Sequence, residues 1–192
     1  MDANVMQDLW NRLEAWLTIN APALLETLQS GATEEQIIQT EAFLSIQFPD
    51  DFKAAYRIHN GQVDYADGFI DAREFLSLER IQDEWKVWKD LLDSGDFNDY
   101  KSDPRGPVKD DWWNAKWIPI THDGSGNHDC LDLNPAKGGC VGQIIDFWHD
   151  EATREVKADN FDLWFAAFVE GCETGKYVYS DEYDGIVNAQ DA

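Results

Sequence analysis

At 192 residues, with an ordinary apolar share of 43%, the chain has material for one well-filled core, and a single domain over 1–192 is expected. Thirty-eight acidic residues against 15 basic ones leave a formal charge of −23, which disfavours nucleic acid as a direct partner, because phosphates would be repelled where affinity comes from neutralising them. No run approaches the roughly eighteen apolar residues of a membrane span, and Met1-Asp2-Ala3-Asn4 lacks the basic opening of a signal peptide.

The acidic excess runs the whole length: residues 1–60 hold 9 acids and 3 bases, 61–111 hold 14 and 7, and 112–192 hold 15 and 5. A folded body with an acidic surface is therefore expected, rather than an acidic tail on a neutral one. Such a field favours a basic protein partner and speeds its encounter, although it also serves plain solubility. Three cysteines, an odd number without disulfide-like spacing, point to a reducing compartment and a cytoplasmic protein.

Val5, Leu9, Leu13, Trp16 and Leu17 recur at helical spacing, and Pro22 marks the break that follows. Thr33 and Gln36 match a capping box opening a helix with Ile37, Thr40, Glu41 and Leu44 on neighbouring faces. Pro49 suits the start of a third helix carrying Phe52, Ala55, Tyr56 and His59 on one side, with Gly61 as its stop. Phe69-Ile70 and Phe75-Leu76 suggest a short strand or hairpin. Leu78, Ile81, Trp85, Trp88 and Leu92 then form an apolar helical stripe ending near Gly95. Its tryptophans read as core rather than as a carbohydrate platform.

Residues 96–110 are polar, with Pro104 and Pro107, and read as a mobile or variable loop. Beyond Trp112-Trp113, one of which is expected at the surface, comes a meander: about Lys116–Thr121, His128–Leu133 and Cys140–Trp148, with a fourth strand near Arg154–Lys157. Asp159 or Asn160 caps a closing helix bearing Phe161, Trp164, Phe165, Phe168 and Cys172. Tyr177-Val178-Tyr179 suits an edge strand, and the acidic residues 180–192 are expected to fray. The fold class is α+β: helices first, a mostly antiparallel sheet of about four to six strands, and a C-terminal helix packed on it.

Several residues read as makers of this architecture. Gly124 and Gly126 permit positive φ in a tight turn with Asp123, and Asn127 tolerates the same region. Pro119 belongs at a strand edge or bulge, and Pro135 after Asn134 enforces a bend. Together with Pro49, Gly61, Trp117 and Gly142 they are expected to be structural.

Their order carries a resemblance. Thr33-Glu34-Glu35-Gln36-Ile37, Phe48-Pro49-Asp50-Asp51-Phe52, Tyr56, Asn60-Gly61, Trp117-Ile118-Pro119-Ile120, Asp123-Gly124-Ser125-Gly126-Asn127, Asp132-Leu133-Asn134-Pro135, Gly142-Gln143-Ile144-Ile145 and Phe161-Asp162-Leu163-Trp164-Phe165 follow one another as in the Smi/Knr cell-wall-regulator-like family of the SUKH superfamily. The likeness covers roughly residues 30–175. It implies a non-enzymatic binding module. Bacterial members are commonly immunity proteins that neutralise toxins, often nucleases, and fungal relatives are implicated in regulating glucan synthesis through protein contacts. The chain is far shorter than a fungal regulator with its disordered flanks. The leading expectation is therefore the immunity type, acting by stoichiometric binding of a basic toxin domain. The alternative is a regulatory or scaffold role in cell-wall assembly.

Catalytic readings find less support. His122-Asp123, His128-Asp129-Cys130, Cys140 and His149 fit no zinc spacing, and strand alternation sends His128 and Asp129 to opposite faces. The Asp123–Asn127 loop lacks the glycine and glutamate of a calcium loop. Cys130 with His149 is not in a recognisable nucleophile context. No metal or cofactor is expected, and a hydrolase using the His122–His149 region is the third reading. Charge and loop placement nominate two partner-contact clusters: Asp64, Asp67 and Asp71 after Gly61, and Asp110, Asp111 and Trp112 before the sheet. Oligomeric state is not legible.

Overall fold

The computed structural model describes residues 3–66 and 68–192. Helix α1 (Ala3–Asn20) buries Leu9, Trp10, Leu13 and Leu17 along one stripe. Pro22 breaks it and opens a short second helix, α2 (Pro22–Thr27). The capping box forms as expected: Thr33 Oγ1 accepts from Gln36 N at 3.2 Å, and Gln36 Oε1 accepts from Thr33 N at 2.8 Å, starting α3 (Glu34–Leu44). Pro49 stands just before α4 (Asp50–Tyr56), whose Phe52, Ala55 and Tyr56 are fully buried.

Gly61 is not the helix stop. Helix α4 ends at Tyr56, and Gly61 is required for another reason. Its φ is +64°, and a Cβ there would sit 2.5 Å from the backbone of Leu76 and Ser77. The chain passes itself here too closely for any side chain.

The short strand β1 (Glu74–Phe75) leads to α5 (Leu78–Ser94), capped by Ser77 Oγ accepting from Arg80 N and ended by Gly95 in the left-handed conformation. Residues 96–110 are more than a loop. They contain β2 (Asp103–Arg105), an edge strand whose Pro104 needs no ladder N–H on the open side. Its partner lies some fifty residues on, in parallel, so no local pattern announces the pairing.

The meander follows as β3 (Trp117–Pro119), β4 (Thr121–His122), β5 (His128–Asp132), β6 (Gln143–Phe147) and β7 (Thr153–Ala158). Five strands form one sheet in the order β2-β7-β6-β5-β3, antiparallel except for β2 with β7, and β4 pairs with β1. Asp123 writes the turn between β4 and β5: its Oδ1 accepts from Ser125 N (2.8 Å) and Asn127 N (3.0 Å), while Gly124 and Gly126 take φ of +82° and +98°. Pro119 lies on the edge strand β3, and Asn134, before Pro135, donates its N–H to Asp132 Oδ1. Gly142, φ +95°, returns the chain into β6.

Helix α6 (Phe161–Thr174), capped by Asn160, packs on β6 and β7 with α1 and α4 behind it. On the other sheet face, Trp88 of α5 meets His128 and Phe147, and Trp85 donates its indole N–H to Ala115 O. Both tryptophans are core, as is Trp113, whereas Trp112 is half-buried.

The acidic end of the chain does not fray throughout. Strands β8 (Tyr177–Ser180) and β9 (Gly185–Asn188) form a hairpin whose Ile186 is 0% exposed. Ile186 N donates to Gly68 O at 2.9 Å and Ile186 O accepts from Ala72 N at 2.7 Å, so the hairpin is docked on the loop before β1. Apolar burial at two positions outweighs the surrounding charge. Replacing Ile186 with Ala should lower unfolding stability in urea by about 2–5 kcal/mol, the usual cost of such a core truncation. A frayed end would show no change.

Candidate functional site

The described residues from Gln62 to Arg73 lie outside the helices and strands, and two arginines fix them. Arg73 places Nη1 2.8 Å from Asp129 Oδ1 and 3.3 Å from Asp146 Oδ1, on strands β5 and β6. Lys157 of β7 reaches the same Asp129 at 2.9 and 3.2 Å. The Asp129 side chain is only 2% exposed, so both cations are needed to offset its desolvation. Burial lowers the Arg73 pKa, but Asp129 and Asp146 outweigh it and hold the guanidinium above its ordinary value.

Arg80, from the first turn of α5, bonds both oxygens of Glu74 at 3.3 Å and Glu84 at 2.7 Å. Its guanidinium lies 4.4 Å from the centre of the Tyr65 ring, and Tyr65 N donates to Glu74 Oε1. Between these anchors Tyr65, Asp71 and Ala72 take φ of +58°, +50° and +60°. Asp184, in the hairpin turn docked against them, has φ +44°. Four of the five non-glycine residues with positive φ among the described residues thus belong to one face. Each such conformation costs about 1–3 kcal/mol and persists only where surroundings over-determine it.

This face is hollow. A groove of about 310 Å³ is lined by Asp71, Asp123, Trp148, Tyr183, Val187 and Asp191, with Arg73 at its base. A second hollow of about 330 Å³, sharing Ala72 and Asp123, is lined by Tyr65, Glu74, His122 and Gly124. Three aromatic rings stand at the rims: Tyr65, Trp148 and Tyr183 are 78%, 40% and 52% exposed. The Arg73 guanidinium lies 5.7 Å from the Trp148 ring centre and so orients it. A smaller cavity of about 160 Å³ adjoins Asp71, between Asp129, Lys157, Trp164, Phe168 and Tyr177.

Of the first nominated cluster, Asp71 lines the groove, Asp64 is exposed in the preceding turn, and Asp67 lies outside the described residues. Asp123 and Gly124, read as turn makers, line the hollows as well. The second cluster is elsewhere, and none of its members lines the groove. Asp110 pairs with Lys101 (3.1 Å), Asp111 accepts from Asn114 (2.6 Å), and the Trp112 ring packs 5.3 Å from Tyr100. Arg154 holds that region: it donates to the carbonyls of Trp112, Trp148, Glu151 and Thr153. Burial pushes its pKa down to about 10.

Sequence reading missed Tyr65, Arg73, Trp148, Tyr183 and Asp191 as one group. One signal was available: Asp184-Gly185 is a hairpin dipeptide, and it would have put Tyr183 at a turn rather than in a loose end.

The histidines are committed to structure. His128 is fully buried, accepts at Nε2 from the Trp88 indole (3.1 Å) and donates from Nδ1 to Thr121 O (2.7 Å). Burial pushes its pKa down to about 3, so it is neutral. His149 Nδ1 bonds Asn127 Oδ1 at 2.9 Å, and His122 stacks on His128. Cys130 is sealed in the core, and burial raises its thiol well above the ordinary value. Among the described residues no group of three or more His, Cys, Asp or Glu is placed to hold a metal ion. Nor is any helix long and apolar enough to cross a membrane.

The family model described as the SMI1/KNR4 family (SUKH-1) matches residues 31–167. Among curated proteins, the chain is 26% identical over 211 residues to the cell wall assembly regulator SMI1 of Saccharomyces cerevisiae, covering 91% of this chain and 42% of the relative. It is 26% identical to the cell wall biosynthesis/cell cycle regulator smi1 of Schizosaccharomyces pombe (94% and 39%) and 25% identical to a glucan synthesis regulatory protein of Neurospora crassa (90% and 39%). The chain thus spans about two-fifths of the length of these relatives.

Two outcomes follow from the buried charges. Asp129→Asn leaves Arg73 and Lys157 without their shared carboxylate and should cost about 3–5 kcal/mol in chemical denaturation, whereas exposed Asp64→Asn should stay within about 0.5 kcal/mol. His128, ordinary pKa 6.5 when unfolded, binds a proton in the folded state only near pH 3. Its contribution is complete above pH 6.5 and is lost as pH falls toward 3, by about 1.4 kcal/mol per unit. Denaturation series between pH 7 and 4 should therefore show a slope about one proton smaller in His128→Gln than in the parent.

Proposed function

This chain belongs to the SMI1/KNR4 family (SUKH-1), and from that premise we propose that it acts by stoichiometric binding of a protein partner, with no catalytic step of its own. The observation that carries this reading is the groove: exposed rings and carboxylates beside strained backbone, held by buried ion pairs, while His128, Cys130 and Cys172 are buried in the core. The arrangement presents a contoured surface suited to contact.

Within binding, the role we favour is regulation or scaffolding of cell-wall assembly, because the curated relatives named above are cell-wall and glucan-synthesis regulators. This departs from the leading expectation drawn from sequence. Neutralising a basic toxin domain is the second reading, and the −23 charge favours it: a polyanionic surface suits the phosphate-binding face of a nuclease. Both roles treat residues 1–192 as one domain, and both assume the cytoplasm, in keeping with three free cysteines.

Affinity capture of the intact chain from its source cells, followed by reconstitution with the purified partner, tests the reading. A one-to-one complex whose association slows as salt rises from 50 to about 300 mM is expected, through screening of the acidic surface. Wall-stress sensitivity on deletion, restored by the parent gene, supports regulation; protection against a co-expressed toxin domain supports neutralisation. Turnover of a substrate by the pure protein would overturn both.

A further inference from the structure

We propose that the 310 Å³ groove is a receptor for an arginine side chain presented by a basic segment of the partner. The inference rests on the protein-binding reading and specifies what that surface recognises.

The lining combines two things that together suit a guanidinium. Trp148 and Tyr183 offer partly exposed ring faces, and Val187, 4% exposed, gives an apolar patch beneath. Asp71, Asp123 and Asp191 surround them with carboxylates. Asp123 is held below the usual carboxylate range: burial opposes this, but bonds from Ser125 N, the Asn127 side chain and Asn127 N outweigh it, so its charge is fixed. Among the described residues neither Asp71 nor Asp191 has an ion-pair partner.

The one cation in the lining already has carboxylate partners of its own. Arg73 is already shared between Asp129 and Asp146, neither of which lines the groove. In the adjoining cavity Lys157 is committed to Asp129, and Lys176 leans on the Tyr177 ring at 5.1 Å. What faces outward is net negative and aromatic.

Arginine is favoured over lysine on geometry. A guanidinium is planar and weakly hydrated, stacks on aromatic faces, and presents a fork of N–H donors to carboxylates, whereas an ammonium is a compact, strongly hydrated point charge. Arg73 over Trp148 and Arg80 over Tyr65 display the same pairing from the inner side of this face. The overall −23 field draws a basic segment toward it.

The test uses the intact protein with the probe acetyl-Arg-Arg-Arg-Arg-amide, compared with the tetra-lysine and tetra-citrulline peptides, by NMR shift mapping. Shifts should centre on the Trp148 indole N–H, residues 71–73 and 183–191. Citrulline, which keeps the shape and removes the charge, should bind at least about tenfold more weakly, and lysine several-fold more weakly. The double variant Asp71→Asn/Asp191→Asn should lose about fivefold or more in affinity with an unchanged unfolding midpoint, and Trp148→Leu should abolish the preference for arginine over lysine. Shifts scattered over the acidic surface, or equal binding of arginine and lysine peptides, would overturn the assignment. The natural partner separates the two layers of argument. If the double variant binds it as tightly as the parent, the groove assignment fails and protein binding stands. If no partner is ever captured while the arginine peptide seats at Trp148, the groove assignment holds and the protein-binding reading fails.

Discussion

A carboxylate almost wholly removed from water, that of Asp129, sits between Arg73 and Lys157 on β5, an inner strand of a five-stranded sheet. Taking such a charge out of water costs several kcal/mol before its partners offset it, so the arrangement is useful less as stabilisation than as a constraint on geometry. It forces Arg73 inward, and with it the stretch of loop carrying Asp71 and Ala72 in left-handed backbone. The second clamp, Arg80 with Glu74, also takes hold of Tyr65 at the start of the same loop, through the Tyr65 N–H on Glu74 and the Tyr65 ring beneath the guanidinium. These clamps hold Tyr65, Arg73 and Glu74 beside the hollows, whose remaining walls come from the sheet and the β8–β9 hairpin.

The legible and illegible parts of this molecule divide by range. Helix starts at Thr33, Ser77 and Asn160 depend on hydrogen bonds to residues three positions away, and glycine turns such as Asp123–Asn127 depend on local dihedral freedom. Such features read directly from sequence at Thr33 and at Asp159-Asn160, which is why the longer helices, the meander and the α+β class emerge, whereas the six-residue α2 is too short to show a period. Arg73 and Asp129 are 56 residues apart, and nothing near either one announces the other. The same holds for β2 beside β7, and for Gly61, whose need for a bare Cα arises from Leu76 passing alongside. Charge and loop placement point equally to Asp71, which lies in the groove, and to Asp110, Asp111 and Trp112, which are elsewhere, in local pairs and packing. Charge density without topology does not discriminate between them.

The distribution of basic residues sharpens the electrostatic picture. Arg73, Arg80 and Arg154 are buried, and Lys157 is turned onto Asp129. These cations act inside the fold, holding loops and strands, and leave the surface more negative than the count of fifteen bases suggests. A surface of that kind carries a strongly negative field into the surrounding solvent. The SMI1/KNR4 scaffold therefore carries, in this chain, a concave aromatic patch within a strongly negative field.

One wall of that patch, Tyr183, Val187 and Asp191, comes from the hairpin docked by Ile186 onto Gly68 and Ala72. Residues more than a hundred positions apart must meet before the concavity exists. Because β8 and β9 pair only with each other, undocking the hairpin would remove this wall while leaving the five-stranded ladder paired, so the concavity depends on tertiary docking and not on the sheet alone.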